Sequence, residues 1–156
     1  MELNMGLDMY LYGDKSVSSS SDANPVMEDG YIVSNKILDL GYWRKHANLH
    51  GFIVGTVAEG KDECQRIDLS EADLHNIIVA LENDAIYDKR VEGFFFGKSY
   101  FPGEKDEYGS YEEQKAEDIE VFTKALEWIQ NAAPAVGKFG DDNFKWPEWR
   151  SVYYRA

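Results

Sequence analysis

The feature of this sequence that most constrains its fold is a strict alternation of side chains over residues 6–12. Apolar residues occupy every second position, and an aspartate and two tyrosines occupy the positions between them. Because successive side chains of a strand point to opposite faces, the alternation predicts a strand with one face in the core and one toward solvent. The apolar set is Leu7, Met9 and Leu11, and the opposite set is Asp8, Tyr10 and Tyr12.

Three segments with apolar residues every three or four positions are predicted to be helices, because that is the period of one helix face. The first starts at Trp43, the second follows Ser70, and the third spans residues 111–133 and ends before Pro134. Ser70 and Asp73 resemble a capping box, in which each side chain bonds the backbone N–H of the other residue.

Four further segments are predicted to be strands, and two others to be mobile loops rich in turn-forming residues. The strands are residues 31–38, which end before Gly41, then 63–69, 93–97 and 150–155, and the loops are residues 13–30 and 99–110. The chain of 156 residues is 44% hydrophobic, which is enough for one domain spanning residues 1–156. We expect an α+β fold, a mostly antiparallel sheet with about three helices packed on one face.

Charge and cysteine content limit the partners and the location. The 29 acidic residues against 16 Lys and Arg give a formal charge of −13, which repels nucleic acid. There is no apolar stretch long enough to span a membrane, and the first residues lack the pattern of a secretory signal. A lone cysteine, Cys64, agrees with a reducing compartment, so we expect a cytoplasmic protein with no membrane or nucleic-acid partner.

Residues 42–52 hold three aromatics, two cations, two histidines and an amide, a density that suggests a binding site. Guanidinium groups bind phosphate and aromatic rings stack on flat ligands, so the run suits a small anionic ligand. In the predicted first helix, Arg44 and Asn48 share one polar stripe, which His50 borders. The predicted ligand-binding residues are Asp8, Tyr42, Trp43, Arg44, Asn48 and His50.

Two other chemistries are open to the same region. His46 and His50 lie four residues apart, the spacing at which two imidazoles on one helix face bind a metal ion. The pattern lacks a third ligand on the helix, so we expect no metal site. Cys64 with His50 and an acid would form a nucleophilic triad if the fold brought them together, although a lone cysteine in a strand is more often a small core residue.

Five motifs together resemble a family of small proteins encoded by bacteriophages and bacterial genomes, and they cover nearly the whole chain. The motifs are MGLDMYL at residues 5–11, YWRKHANLHGFI at 42–53, DECQ at 62–65, GFFFG at 93–97 and VYYRA at 152–156. Some members carry the name phosphoglycerate kinase, which this chain does not fit because it is far too short and has no nucleotide-binding loop. The resemblance implies a phage context and a binding protein rather than a scaffold.

Three functions follow as alternatives. The first is a phage-type accessory protein that binds a small anionic, nucleotide-like ligand, needs no cofactor, and counters a host defence in the host cytoplasm. The second is an acidic protein-interaction module that imitates a polyanion and inhibits a host protein through residues 104–120, although such a charge run usually only faces water. The third is a small hydrolase that uses His50, Cys64 or a metal.

Overall fold

A computed structural model describes residues 8–44, 46–88, 105–106 and 109–156, and its elements follow in chain order. The strands are β1 (Asp8–Ser16), β2 (Met27–Glu28), β3 (Tyr31–Ile32), β4 (Asn35–Arg44), β5 (Ile67–Leu69), β6 (Lys105–Asp106), β7 (Gly109–Ser110) and β8 (Arg150–Arg155). The helices are α1 (Ala47–Thr56), α2 (Glu71–Glu82) and α3 (Tyr111–Gln130), and a 3₁₀ helix spans Ala85–Asp88.

The main sheet has four strands in the order β4-β1-β8-β5, and every pairing is antiparallel. Strand β1 is central because it pairs with β4 on one side and with β8 on the other. The strand pairs β2–β3 and β6–β7 form two small hairpins. This arrangement confirms the predicted α+β class with a mostly antiparallel sheet.

One face of the main sheet forms the core with the helices, as the alternation in β1 predicts. Met9 and Leu11 are fully buried, whereas Tyr10 and Tyr12 on the opposite face are partly exposed. Helix α2 begins with the predicted capping box of Ser70 and Asp73. The buried apolar residues of the three helices are Ala47, Leu49, Ile53 and Val54 of α1, Leu74, Ile77, Ile78, Ala80 and Leu81 of α2, and Phe122 and Ala125 of α3.

The predicted start of the first helix is wrong, because β4 continues through Gly41 to Arg44 and α1 begins only at Ala47. Pairing with β1 decides this, since Met9 lies opposite Trp43 in the ladder. Gly41 does not break the strand. A Cβ at that position would lie 2.7 Å from Cγ1 of Val121, so the glycine allows α3 to pack closely on β4.

Other boundaries also differ from the sequence-based expectations. Strand β1 extends to Ser16, into the segment predicted as a loop, and β5 covers only the last three residues of the predicted strand 63–69. Cys64 lies in a turn with a φ of 57° and is exposed, so it is not a core residue. The predicted strand 93–97 lies outside the described residues, as does most of the segment 99–110.

Candidate functional site

The structure places the six predicted ligand-binding residues on two opposite sides of the main sheet. Asp8, Tyr42 and Arg44 lie on the outer face, where no described helix packs, and form one cluster. The other three are buried on the helix side: Trp43 is 6% exposed, Asn48 is fully buried and His50 is 2% exposed. Alternation along β4 separates Tyr42 and Arg44 from Trp43, so the six do not line one cavity.

The outer cluster is held together by polar contacts and by one ring contact. The hydroxyl of Tyr42 donates a hydrogen bond of 2.8 Å to Oδ1 of Asp8, and this bond raises the pKa of Tyr42. Nε of Arg44 lies 3.9 Å from the same carboxylate oxygen. The ring of Tyr10 lies 5.3 Å from the ring of Tyr42. Two aromatic rings, a cation and an anion therefore meet at one end of the open sheet face.

A row of tyrosines continues from this cluster across the sheet. Tyr10 stacks on Tyr12 with centroids 5.6 Å apart, and Tyr12 lies 5.3 Å from Tyr153. The guanidinium of Arg66 sits 3.8 Å above the ring of Tyr153. Burial against these neighbours, with the negative charge of Asp39, raises the pKa of Tyr12. Sequence reasoning missed Tyr153 and Arg66, because their place beside Tyr12 depends on the pairing of β8 with β1 and β5.

On the buried side, Asp118 of α3 is the centre of a hydrogen-bond network. Its carboxylate accepts bonds from Nε1 of Trp43 (2.7 Å) and Nε2 of Gln114 (2.8 Å), and lies 2.7 Å from Nε2 of His46. Asp118 is fully buried, so the expectation that the acidic run 112–120 only faces solvent is wrong at this residue. Glu112, Glu113, Glu117 and Glu120 of the same run are exposed.

His50 belongs to a second buried network. Nδ1 of His50 lies 2.6 Å from the hydroxyl of Tyr154, and Nε2 lies 2.8 Å from Oδ2 of Asp62. Burial, together with the negative charge of Asp62, raises the pKa of Tyr154 strongly. Both ring nitrogens of His50 therefore lie within hydrogen-bond distance of groups other than Cys64.

The two histidines that stand four residues apart contact different carboxylates, Asp118 for His46 and Asp62 for His50. Within the described part of the chain, no group of three or more His, Cys, Asp or Glu side chains is arranged to hold a metal ion. In the same residues, no helix is both long and apolar enough to cross a membrane.

Comparisons with known proteins add no relative. The chain matches no protein-family model, no curated protein and no solved structure.

Proposed function

We propose that this protein binds a small anionic ligand with a flat ring, such as a nucleotide, on the outer face of its sheet. The observation that carries the proposal is the convergence of Tyr10, Tyr42, Arg44 and Asp8 at one end of that face. The side chain of Tyr42 is 55% exposed and that of Arg44 is 53% exposed, so both are accessible to a ligand.

Each group has a distinct task in this arrangement. The flat ring stacks on Tyr42 or Tyr10, and the anionic group pairs with the guanidinium of Arg44. The carboxylate of Asp8 accepts a hydrogen bond from a ring amino group, which favours a nucleobase over a plain aromatic acid.

The charges on this face are arranged as local pairs: Arg44 lies beside Asp8, and Arg66 pairs with Asp68. The whole chain carries −13, which repels anions at long range, so binding depends on local cations. Among the described residues, three arginines lie on the outer face: Arg44, Arg66 above Tyr153, and Arg155 opposite Tyr10 in the ladder. In the phage context that the motifs suggest, such a protein would sequester a host nucleotide used in defence.

The buried candidates support the face rather than line it. The hydrogen bond from Trp43 to Asp118 anchors the end of β4 to α3. This anchor holds the two neighbours of Trp43 in the strand, Tyr42 and Arg44, in place on the outer face. His50, with Tyr154 and Asp62, ties α1 to β8. Their role in the proposal is to position the strands that carry the ligand contacts.

The proposal is tested by isothermal titration calorimetry with adenosine monophosphate, adenosine and inorganic phosphate. We expect the monophosphate to bind more tightly than either part alone, because only it uses both the rings and Arg44. Tyr42→Ala and Arg44→Ala should each weaken binding by about tenfold or more, since each removes one contact of 1–3 kcal/mol.

Two matched variants serve as controls for this titration. Tyr31→Ala removes a 77% exposed tyrosine from the β2–β3 hairpin, and Lys36→Ala removes an exposed cation from the far end of β4. Both should bind like the unaltered protein. Equal affinity of Tyr42→Ala, Arg44→Ala and the unaltered protein, or no binding of any nucleotide in a panel with other bases, contradicts the proposal.

A further inference from the structure

A cavity of about 220 Å³ lies away from the outer-face cluster, between the end of β1 and the segment that leads into β8. Its walls come from residues 16–19 and Asp22, from Ser34 and Asn35, and from residues 145–149. Backbone and side-chain hydrogen bonds tie the walls together. Ser16 N donates to Trp149 O and Trp149 N donates to Ser16 Oγ, both at 2.8 Å. Trp146 N donates to Asp22 Oδ1 at 2.9 Å.

Two tryptophans give the cavity an aromatic wall. Trp149 is 66% exposed and Trp146 is 39% exposed, although buried tryptophan is the more favourable state for so large an apolar ring. Trp146 is held by an edge contact with Phe144, with ring centroids 5.0 Å apart. Exposed aromatic rings at the rim of a cavity are typical of ligand-binding grooves, where they pack on the apolar face of a ligand.

Hydroxyl groups supply the polar side of the cavity. The Oγ atoms of Ser16, Ser18 and Ser19 each accept a hydrogen bond from a backbone N–H, from Trp149, Val26 and Ser21 in turn. A serine hydroxyl that accepts one bond keeps its own O–H to donate and a second lone pair to accept. Asn35 donates from Nδ2 to Asp14, which leaves its amide oxygen as an acceptor.

The charged groups of the cavity are balanced within the protein. Hydrogen bonds from the backbone N–H groups of Trp146 and Ser19 lower the pKa of Asp22, and the positive charge of Lys145 lowers it further. Glu148 pairs with Arg150. Neither carboxylate therefore needs a cation from a ligand.

An aromatic wall, serine hydroxyls and balanced charge match a neutral ligand with one apolar face and many hydroxyls. We propose that this cavity binds a single ring of a neutral sugar, with the ring packed on Trp149 and its hydroxyls bonded to the serines and Asn35. The volume agrees with one ring, since it lies below the 300–1,000 Å³ of pockets for drug-sized ligands. This site is separate from the proposed anion site and does not depend on it.

The test is a titration of the full chain with glucose, galactose, mannose and N-acetylglucosamine through the millimolar range. Binding is read by tryptophan fluorescence and by saturation transfer from protein to sugar in NMR spectra. We expect saturable binding of at least one sugar, with a loss of about tenfold or more in Trp149→Ala. That variant removes only the indole, because both hydrogen bonds between Trp149 and Ser16 use the backbone of residue 149.

Ser34→Ala is a milder second variant. It should weaken binding of the same sugar without changing the far-UV circular dichroism spectrum. Tyr31→Ala, which removes an exposed aromatic ring outside the cavity, should bind like the unaltered protein. Choline and inorganic phosphate are titrated as a cation and an anion. The proposal is overturned if no sugar binds, or if Trp149→Ala binds sugar as well as the unaltered protein does. It is also overturned if choline or phosphate displaces the sugar from Trp149.

Discussion

The indole Nε1 of Trp43 donates a hydrogen bond of 2.7 Å to Oδ1 of Asp118, joining the end of β4 to α3 inside the core. Nε2 of His46 lies 2.7 Å from the other carboxylate oxygen, so the residue that precedes α1 is joined to the same acid. A buried carboxylate is stable only when donors replace the water that it has lost. The carboxylate of Asp118 therefore connects three elements, β4, the start of α1, and α3.

Asp118→Ala is expected to lower the free energy of unfolding by about 3 kcal/mol or more, because the buried Trp43 loses its acceptor, the buried His46 loses its carboxylate contact, and the partly buried Gln114 loses its acceptor. Urea unfolding followed by circular dichroism measures the change. Glu117→Ala, at the exposed neighbouring position of α3, is the control and should change stability by less than about 0.5 kcal/mol. Equal stability of the two variants would show that the network contributes nothing.

The features that the sequence predicts correctly are those with a local cause. Alternation with period two places Met9 in the core and Tyr10 on the outer face, whatever strand lies beside β1. The capping box of Ser70 and Asp73 needs only one turn of chain, and it forms as expected. Periodicity in α3 likewise predicts the burial of Phe122.

The features that the sequence predicts wrongly depend on distant partners. Trp43 fits a helical stripe with Ala47, but the ladder with β1 and the bond to Asp118 keep it in a strand. Asp118 stands among exposed glutamates, and the partners that bury it lie 72 and 75 residues away. The sequence predicts that the site residues share one ligand for the same reason, since a helix that starts at Trp43 hides the opposite orientation of Tyr42 and Trp43 in a strand.

Gly41 and Gly55 should respond in opposite directions to alanine. In Gly41→Ala the new Cβ meets Val121 Cγ1 at 2.7 Å and Trp43 Cη2 at 3.0 Å, so we expect a loss of about 1–3 kcal/mol from overpacking. In Gly55→Ala the new Cβ meets nothing within 4 Å, and the better helix propensity of alanine should stabilise α1 by about 0.5 kcal/mol. Thermal unfolding of both variants and of the unaltered protein measures these changes in stability. A stabilised Gly41→Ala variant would mean that α3 does not pack this closely on β4.

Asp22 makes stability depend on pH in the acid range. Its two carboxylate oxygens accept bonds from the backbone N–H groups of Ser19 and Trp146, and the bond from Trp146 contributes most to its lowered pKa. Because the folded state binds this proton less readily than the unfolded chain, the stabilisation is present above about pH 4 and is lost as pH falls through the lowered folded pKa.

Asp22→Asn is therefore expected to be less stable than the unaltered protein at neutral pH, and the difference should narrow as pH falls below about 4. Urea unfolding at a series of pH values measures this. Asp142→Asn, at an exposed position, is the control and should track the unaltered protein throughout. If the difference in unfolding free energy between Asp22→Asn and the unaltered protein stays constant with pH, the ionisation of Asp22 does not contribute to stability.

Tyr154 should make stability depend on pH in the alkaline range, with the opposite sign. Its hydroxyl lies 2.6 Å from Nδ1 of His50, and burial raises its pKa above the usual 10.0. The unfolded chain releases this proton near pH 10, whereas the folded protein retains it. The contribution of Tyr154 to the free energy of unfolding is therefore fully present below about pH 10. It is lost as pH rises from there toward the raised pKa of the folded state.

Tyr154→Phe removes both the hydrogen bond and the titrating group. At neutral pH we expect it to cost about 1–2 kcal/mol, because Nδ1 of His50 loses a partner in the core. Above about pH 10 the unaltered protein loses stability that the variant does not lose, so the two unfolding free energies should converge. Tyr31→Phe, at a tyrosine that is 77% exposed, controls for the chemistry of the substitution and should show no convergence. Parallel pH profiles for Tyr154→Phe and the unaltered protein would mean that Tyr154 ionises as readily in the folded state as in the unfolded chain.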